Sequence, residues 1–181
     1  GRYEGRPFLV LDYVKGSTLE DVLKDGPLPV VQAVLVAEKL SRALDHVHQS
    51  GVLHRDLKPA NVLIRHVDGE PILTDFGLAG LRGADTLTKT GDVIGTPLYM
   101  APEQVLGLHK EVDGRADVWS VGVVLYELIT GAVPLPGSTM LDVLDGITGK
   151  EPQPVHELND DADPSLSALL ARALAKDKRE R

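Results

Sequence analysis

Cysteine is absent from the 181-residue sequence. This absence excludes disulfide bonds, thiolate zinc sites and a cysteine nucleophile, and it is compatible with any cellular compartment. Aromatic residues are scarce, at 4% of the chain. Lys and Arg number 19 against 27 Asp and Glu, which gives a net charge of −8. Because no local basic run offsets this charge, we expect no binding to nucleic acid.

Long apolar runs are also missing. The longest stretch, 118–135, contains Glu127 and is interrupted by Ser120, Gly131 and Pro134. A membrane span needs about 20 mostly apolar residues, so we interpret the stretch as a buried core helix and expect neither a membrane segment nor a signal peptide here. The composition, with 43% hydrophobic and 25% charged residues, is typical of one globular domain with a substantial core.

Turn and cap signals divide the first half of the chain into short elements. The apolar run 8–14 has the length of a strand. Thr18, with Asp21 three positions later, predicts a short capped helix. Apolar residues about four positions apart predict a longer helix over 29–49 with one buried face, and Gly51 ends it.

In the second half, the apolar triplets 62–64 and 72–74 flank an Asp-Gly pair and predict a β-hairpin. The segment 77–95 is rich in Gly and Thr, and a loop of this length inside a domain is usually functional or mobile. The stretch 118–129 is apolar on nearly every side, which predicts a central helix. Asp163, followed by proline, predicts the cap of a last amphipathic helix.

Polar residues cluster at the ends of the predicted strands. They supply two carboxylates, one carboxamide and one ammonium group, on Asp56, Asp75, Asn61 and Lys58. Carboxylate and carboxamide oxygens are hard ligands that suit Mg²⁺, which leaves its other positions to phosphate and water. An ammonium group nearby can neutralise a transferring phosphoryl group. The set therefore predicts a site for a phosphorylated, metal-bound substrate.

Three short motifs occur in a defined order. The segment 54–61 reads His-Arg-Asp-Leu-Lys-Pro-Ala-Asn, 75–77 reads Asp-Phe-Gly and 101–103 reads Ala-Pro-Glu, as in the protein-kinase signature. The lead-in at 95–100 and the Asp-Val-Trp-Ser sequence at 117–120 strengthen the match. The chain thus resembles the C-terminal lobe of a eukaryotic-type serine/threonine protein kinase of the bacterial branch.

This resemblance covers nearly the whole chain and implies an α+β fold. The fold would be a mainly α-helical C-terminal lobe with short β-hairpins at the catalytic cleft. Residues 1–16 would hold the last strand of the N-terminal lobe and the hinge, and 17–181 the C-terminal lobe. The implied cofactors are ATP and Mg²⁺ or Mn²⁺, and the implied partners are proteins that carry Ser or Thr acceptors.

The resemblance also implies chemical roles for individual residues. Asp56 would be the catalytic base that accepts the proton of the substrate hydroxyl, and Lys58 would contact the γ-phosphate. Asn61 would bind one metal ion and Asp75 would be the main metal ligand. Phosphoryl transfer depends mainly on in-line positioning and charge neutralisation, which these residues could supply.

The nucleotide base has its own implied site. The segment 11–14 resembles the hinge, where backbone groups of Asp12 and Val14 would hold the adenine edge. Leu11 would occupy the gatekeeper position and Leu63 would lie beneath the base.

Three threonines are implied to act in regulation or docking. Thr88 and Thr90 would be phosphorylation sites, and Arg55 offers a charge that a phosphothreonine could pair with. A plain solvated Thr-rich loop is the alternative. Thr96 would belong to substrate docking.

A further set of residues is implied to be structural. His54 would pack beside Phe76 instead of acting as a general base. Glu103 would form an ion pair with Arg181, and Asp117 would brace the backbone of the catalytic loop.

The family's glycine-rich loop and strand lysine do not precede residue 8, so we expect residues 1–181 alone to have little or no kinase activity. Three functions remain open: an active protein kinase whose small lobe lies upstream, a binding-only pseudokinase or regulatory scaffold, and a small-molecule phosphotransferase. The four polar residues favour the first. We expect a cytoplasmic kinase domain, any membrane anchor outside this fragment, and any dimer to form through the N-terminal lobe.

Overall fold

The computed structural model describes residues 1–8, 10–76 and 97–181. Its strands are β1 (Arg2–Tyr3), β2 (Arg6–Pro7), β3 (Gly16–Thr18), β4 (Val62–Arg65) and β5 (Pro71–Leu73). Its α-helices are α1 (Leu19–Leu23), α2 (Val30–Gln49), α3 (Pro102–Val105), α4 (Gly114–Thr130), α5 (Met140–Gly149) and α6 (Pro164–Ala173). Short 3₁₀ turns lie at Pro59–Asn61, Val155–Glu157 and Lys178–Glu180. None of the helices in these ranges has the length and apolarity needed to cross a bilayer.

The strands form two small antiparallel sheets. Strands β1 and β2 pair with each other, and β4 lies between β3 and β5 in the second sheet. In that sheet Leu63 is opposite Thr18 on one side and Ile72 on the other. The predicted hairpin over 62–74 is therefore confirmed, and it places the ends of β4 and β5 side by side.

The strand predicted over 8–14 is wrong. Among residues 8 and 10–14 no strand is present, and Val10, Leu11 and Tyr13 are 83%, 68% and 91% exposed. A strand needs a neighbour for its backbone N–H and C=O groups. Phe8 exchanges backbone hydrogen bonds with Gly1, at 3.0 Å and 2.8 Å, but among residues 10–14 no backbone group pairs with another described segment. Pairing occurs instead on either side of it, in β2 and β3.

Local signals account for α1 and α2. The Thr18 hydroxyl accepts a hydrogen bond from the backbone N–H of Asp21 at 3.0 Å, and the Asp21 carboxylate accepts from Thr18, so the predicted capping box is confirmed. Helix α2 has the predicted bounds within one residue and buries Leu40 and Leu44 on one face. Gly51 follows with φ 75°, a backbone conformation that suits glycine.

Helix α4 is the central element, as predicted. It begins at Gly114, behind the cap Asp113, whose side chain accepts from the N–H of Arg115 at 2.9 Å. One side of α4 packs on α2 in a core that includes Leu40, Leu44 and Val124. The opposite side contributes Trp119 and Val123 to a second core with Leu135, Ile147 and Leu174. Because α4 is covered on both sides, its sequence is apolar all round.

The last two helices differ in whether the sequence analysis predicted them. Helix α6 starts at the predicted cap, with Asp163 accepting from the N–H groups of Ser165 and Leu166. Helix α5 was not predicted. Its signal is a Thr-x-x-Asp box, in which the N–H of Asp142 donates to the Thr139 hydroxyl at 3.2 Å.

Candidate active site

Three of the predicted site residues meet within one loop between α2 and β4. The ammonium Nζ of Lys58 lies 2.9 Å and 3.2 Å from the two carboxylate oxygens of Asp56. The amide Nδ2 of Asn61 donates to Oδ2 of Asp56 at 3.0 Å and to the Asp56 carbonyl at 2.7 Å. The 3₁₀ turn Pro59–Asn61 brings Asn61 back towards Asp56, because a turn closes after three residues.

These contacts leave the Asn61 carbonyl oxygen and the Lys58 ammonium group able to bind other groups. Both hydrogens of the Asn61 amide are directed at Asp56, so the carbonyl Oδ1 points away from Asp56 and can serve as a metal ligand. The side chains of Lys58 and Asp56 are 35% and 36% exposed, so water screens their attraction and the ammonium can reach another anion.

Asp75 follows β5, next to Asn61 in the fold. The N–H and hydroxyl of Thr74 both donate to the Asn61 carbonyl, at 3.0 Å and 3.1 Å. Asp75 has a φ of 59°, a strained region that Asp tolerates better than most residues, and it is exposed. A carboxamide oxygen and an exposed carboxylate fit Mg²⁺, which takes few protein ligands. Within the described ranges, no group of three or more His, Asp or Glu could bind a metal by itself.

His54 is fully buried and has structural partners. Its Nε2 lies 2.9 Å from the Thr74 carbonyl, and its ring centroid lies 4.9 Å from that of Phe76. The Asp117 carboxylate accepts from the backbone N–H of His54 at 2.9 Å and of Arg55 at 2.8 Å. The imidazole and Asp117 therefore hold the loop that contains Asp56 against β5 and α4.

His48 belongs to this group, and sequence reasoning missed it. Its Nε2 lies 2.7 Å from Oδ2 of Asp117. The contact depends on how the end of α2 meets α4, for which the sequence carries no local signal.

The end of the chain is attached to α3 through a buried ion pair. Arg181 donates to the two carboxylate oxygens of Glu103 at 2.6 Å and 3.1 Å, and both side chains are nearly inaccessible. Arg181 also donates to the Arg115 carbonyl at 3.0 Å and lies over the Trp119 ring. These contacts fix α3 against the start of α4.

A second contact that the sequence did not predict joins Tyr99, in the segment 97–101, to α4. The Tyr99 hydroxyl donates to the Glu127 carboxylate at 2.7 Å, and the Ser120 hydroxyl donates to the Tyr99 carbonyl at 2.8 Å. Burial raises the pKa of Tyr99 above its usual value. Burial also raises the pKa of Glu127, although the hydrogen bond from Tyr99 acts in the opposite direction.

The remaining predicted residues belong to the implied adenine site and to the implied regulatory and docking threonines. Leu11 and Asp12 are exposed, and Val14 and Leu63 are partly buried. Their implied adenine contacts remain predictions. Three further predicted residues lie outside the described ranges: Thr88, Thr90 and Thr96.

Comparison with known proteins shows the family of this chain. The family model described as protein kinase domain matches residues 2–181. The chain is 38% identical over 177 residues to the serine/threonine-protein kinase PknB of Mycobacterium leprae. It is 37% identical over 186 residues to PknJ of Mycobacterium tuberculosis and 40% identical over 176 residues to PkaA of Streptomyces coelicolor. These alignments cover 97%, 100% and 96% of this chain and 28%, 31% and 31% of the relatives, so it spans under a third of their length.

Proposed function

The chain belongs to the protein kinase domain family, and on that basis we propose that it supplies the catalytic loop of a serine/threonine protein kinase. The reaction transfers the γ-phosphate of ATP to Ser or Thr hydroxyls of proteins. The observation that carries the proposal is the convergence of Lys58 and Asn61 on the Asp56 carboxylate. The relatives named above are serine/threonine-protein kinases, which supports the same acceptor class.

In this function Asp56 accepts the proton of the substrate hydroxyl as that oxygen approaches phosphorus. Asn61 and Lys58 both donate to Oδ2 of its carboxylate. The Lys58 ammonium stays close enough to the surface to turn towards a phosphate and offset its negative charge.

The metal ligands in this proposal are Oδ1 of Asn61 and the carboxylate of Asp75. Mg²⁺ or Mn²⁺, when bound, would neutralise charge on the β- and γ-phosphates. The adenine would lie between Leu63 and the hinge residues Leu11, Asp12 and Val14. The support for this part is the family match together with the donor types.

A binding-only pseudokinase is the alternative that the sequence leaves open. A protein that only binds does not need a carboxylate with an ammonium and a carboxamide both directed at it. The present geometry therefore favours catalysis. Protein substrates, a cytoplasmic location, an anchor elsewhere and dimerisation through an N-terminal lobe stay predictions.

Phosphate transfer from radiolabelled ATP to a Ser/Thr-rich acceptor protein tests the proposal. The protein should be the longest natural chain that contains residues 1–181, with residues 1–181 alone as a second sample. We expect Asp56→Asn to lower kcat by about 100-fold or more, since a general base contributes about 10²–10⁴. Asp45→Asn, an exposed change on α2, is the matched control and should retain the rate. A wild-type protein without metal-dependent transfer would contradict the proposal.

A further inference from the structure

The backbone just before Asp56 is held in a strained conformation. Arg55 has a φ of 65°, in the left-handed region that residues with a side chain rarely adopt. Such a conformation persists only where the surroundings impose it. The hydrogen bonds to the N–H and carbonyl groups of Arg55 therefore help to determine the position of Asp56.

Two side chains from different elements bind the two backbone groups of Arg55. Its N–H donates to Oδ1 of Asp117 in α4 at 2.8 Å. Its carbonyl accepts from Nε2 of Gln104 in α3 at 2.9 Å. The Arg55 carbonyl belongs to the same planar peptide group as the N–H of Asp56, so a rotation of that plane moves the Asp56 backbone.

The other contact of this peptide group is weak. The N–H of Asp56 lies 3.4 Å from Nδ1 of His54, longer than a typical N–H···N bond. The hydrogen bond from Gln104 is therefore the stronger restraint on the plane. It joins residues that are 49 positions apart, in the catalytic loop and in α3.

Gln104 uses both ends of its carboxamide. Oε1 accepts from the backbone N–H of Ala101 at 3.0 Å, which fixes the start of α3, while Nε2 reaches Arg55. A carboxamide presents an acceptor and a donor in one rigid plane, which neither a carboxylate nor an aliphatic side chain can do. Only this orientation of the amide satisfies both partners, because Ala101 offers a donor and Arg55 an acceptor.

We propose that Gln104 is a positioning residue for the catalytic base: it holds the Arg55–Asp56 peptide plane from α3 and so sets the position of the Asp56 carboxylate. The inference rests on the proposed kinase function, because it concerns the same base. The side chain of Gln104 also links α3, which follows residues 97–101, to the loop that contains Asp56.

Gln104→Glu separates the two roles of this residue. A glutamate can still accept from Ala101, but it cannot donate to the Arg55 carbonyl when ionised. Gln104→Ala loses both contacts. Gln32→Glu, at an exposed position of α2, introduces the same charge and is the matched control.

We expect both Gln104 variants to lower kcat by about tenfold or more, because small misplacements of a reacting group are costly, with little change in KM for ATP or acceptor. Gln104→Glu should lower the unfolding midpoint less than Gln104→Ala does, because it keeps the contact with Ala101. Combined with Asp56→Asn, either change should have almost no further effect on kcat, because the base through which it acts is gone.

A readout that needs no catalysis completes the test. Amide hydrogen exchange of residues 54–57 should be faster in Gln104→Glu than in wild type or Gln32→Glu, because the peptide plane is released. Wild-type kcat together with unchanged exchange in Gln104→Glu would overturn the inference and leave Gln104 a helix cap. An inactive wild type would instead overturn the proposed function, while the exchange comparison would still decide whether Gln104 holds the loop.

Discussion

Asp117 lies in the first turn of α4, and its carboxylate oxygen Oδ2 is 2.7 Å from Nε2 of His48 in the last turn of α2. The Asp117 side chain is 1% exposed and His48 is 23% exposed. A buried carboxylate is tolerated only when donors surround it, and here His48 adds to the backbone N–H groups of His54 and Arg55. The two longest helices and the loop of Asp56 thus share one carboxylate.

Asp117→Ala should destabilise the protein more than His48→Ala does. The first change leaves buried N–H groups without an acceptor, at about 1–3 kcal/mol for each, whereas the second leaves Asp117 with both backbone donors. Urea unfolding measures the free energy of each variant. Asp160→Ala, at an exposed aspartate, is the control and should stay within about 0.5 kcal/mol of wild type. Equal losses for Asp117→Ala and His48→Ala would contradict the shared-carboxylate account.

Glu103→Ala should cost about 3–5 kcal/mol, because it leaves Arg181 buried and uncompensated. Glu38→Ala breaks the exposed ion pair with Arg42 and should cost under about 1 kcal/mol. Denaturant unfolding of the two variants gives a direct comparison of a buried and an exposed pair. A loss in Glu103→Ala as small as that in Glu38→Ala would show that the buried pair does not hold α3 in place.

Gly131→Ala should destabilise the protein by about 1 kcal/mol, because Gly131 ends α4 with a φ of 75°. Gly149→Ala, at the end of α5, should instead be neutral or stabilise by about 0.4–1 kcal/mol, because its φ is negative and a Cβ there meets nothing within 4 Å. Thermal unfolding of the two variants checks the opposite signs. The same sign for both would contradict the backbone explanation.

The stability of the protein should depend on pH through Glu127. Burial raises its pKa in the folded protein, so the folded state binds this proton more tightly than the unfolded chain does. The resulting stabilisation is complete below the unfolded pKa and is lost as pH rises through the folded value. Glu127→Gln, which keeps an acceptor for Tyr99, should therefore be more stable than wild type at neutral pH, and this advantage should disappear below about pH 4.

Unfolding midpoints measured from pH 3 to 8 for wild type and Glu127→Gln test this dependence. Glu180→Gln, at an exposed glutamate, is the control and should follow the wild-type curve. A parallel displacement of the Glu127→Gln curve at all pH values would show that the ionisation of Glu127 is not responsible.

Prediction from sequence succeeded where the signal was local. Thr18 and Asp163 are caps that act within three residues, and the amphipathic pattern of α2 depends on residues about four positions apart. It failed at 8–14, where apolar composition alone indicated a strand. Strand formation depends on a neighbouring strand, which composition cannot show.

The sequence by itself determined the motifs, the family resemblance, both ends of α2 and the starts of α1 and α6, because capping and helical periodicity are decided by neighbours along the chain. Only the tertiary structure decided that His48 meets Asp117, that Gln104 reaches Arg55 and that Tyr99 meets Glu127. These partners are 69, 49 and 28 positions apart, and they meet because the packing of α2, α3 and α4 closes the intervening loops. No short stretch of sequence encodes such a contact, since it forms only when helices packed in one core bring the two side chains within hydrogen-bond distance.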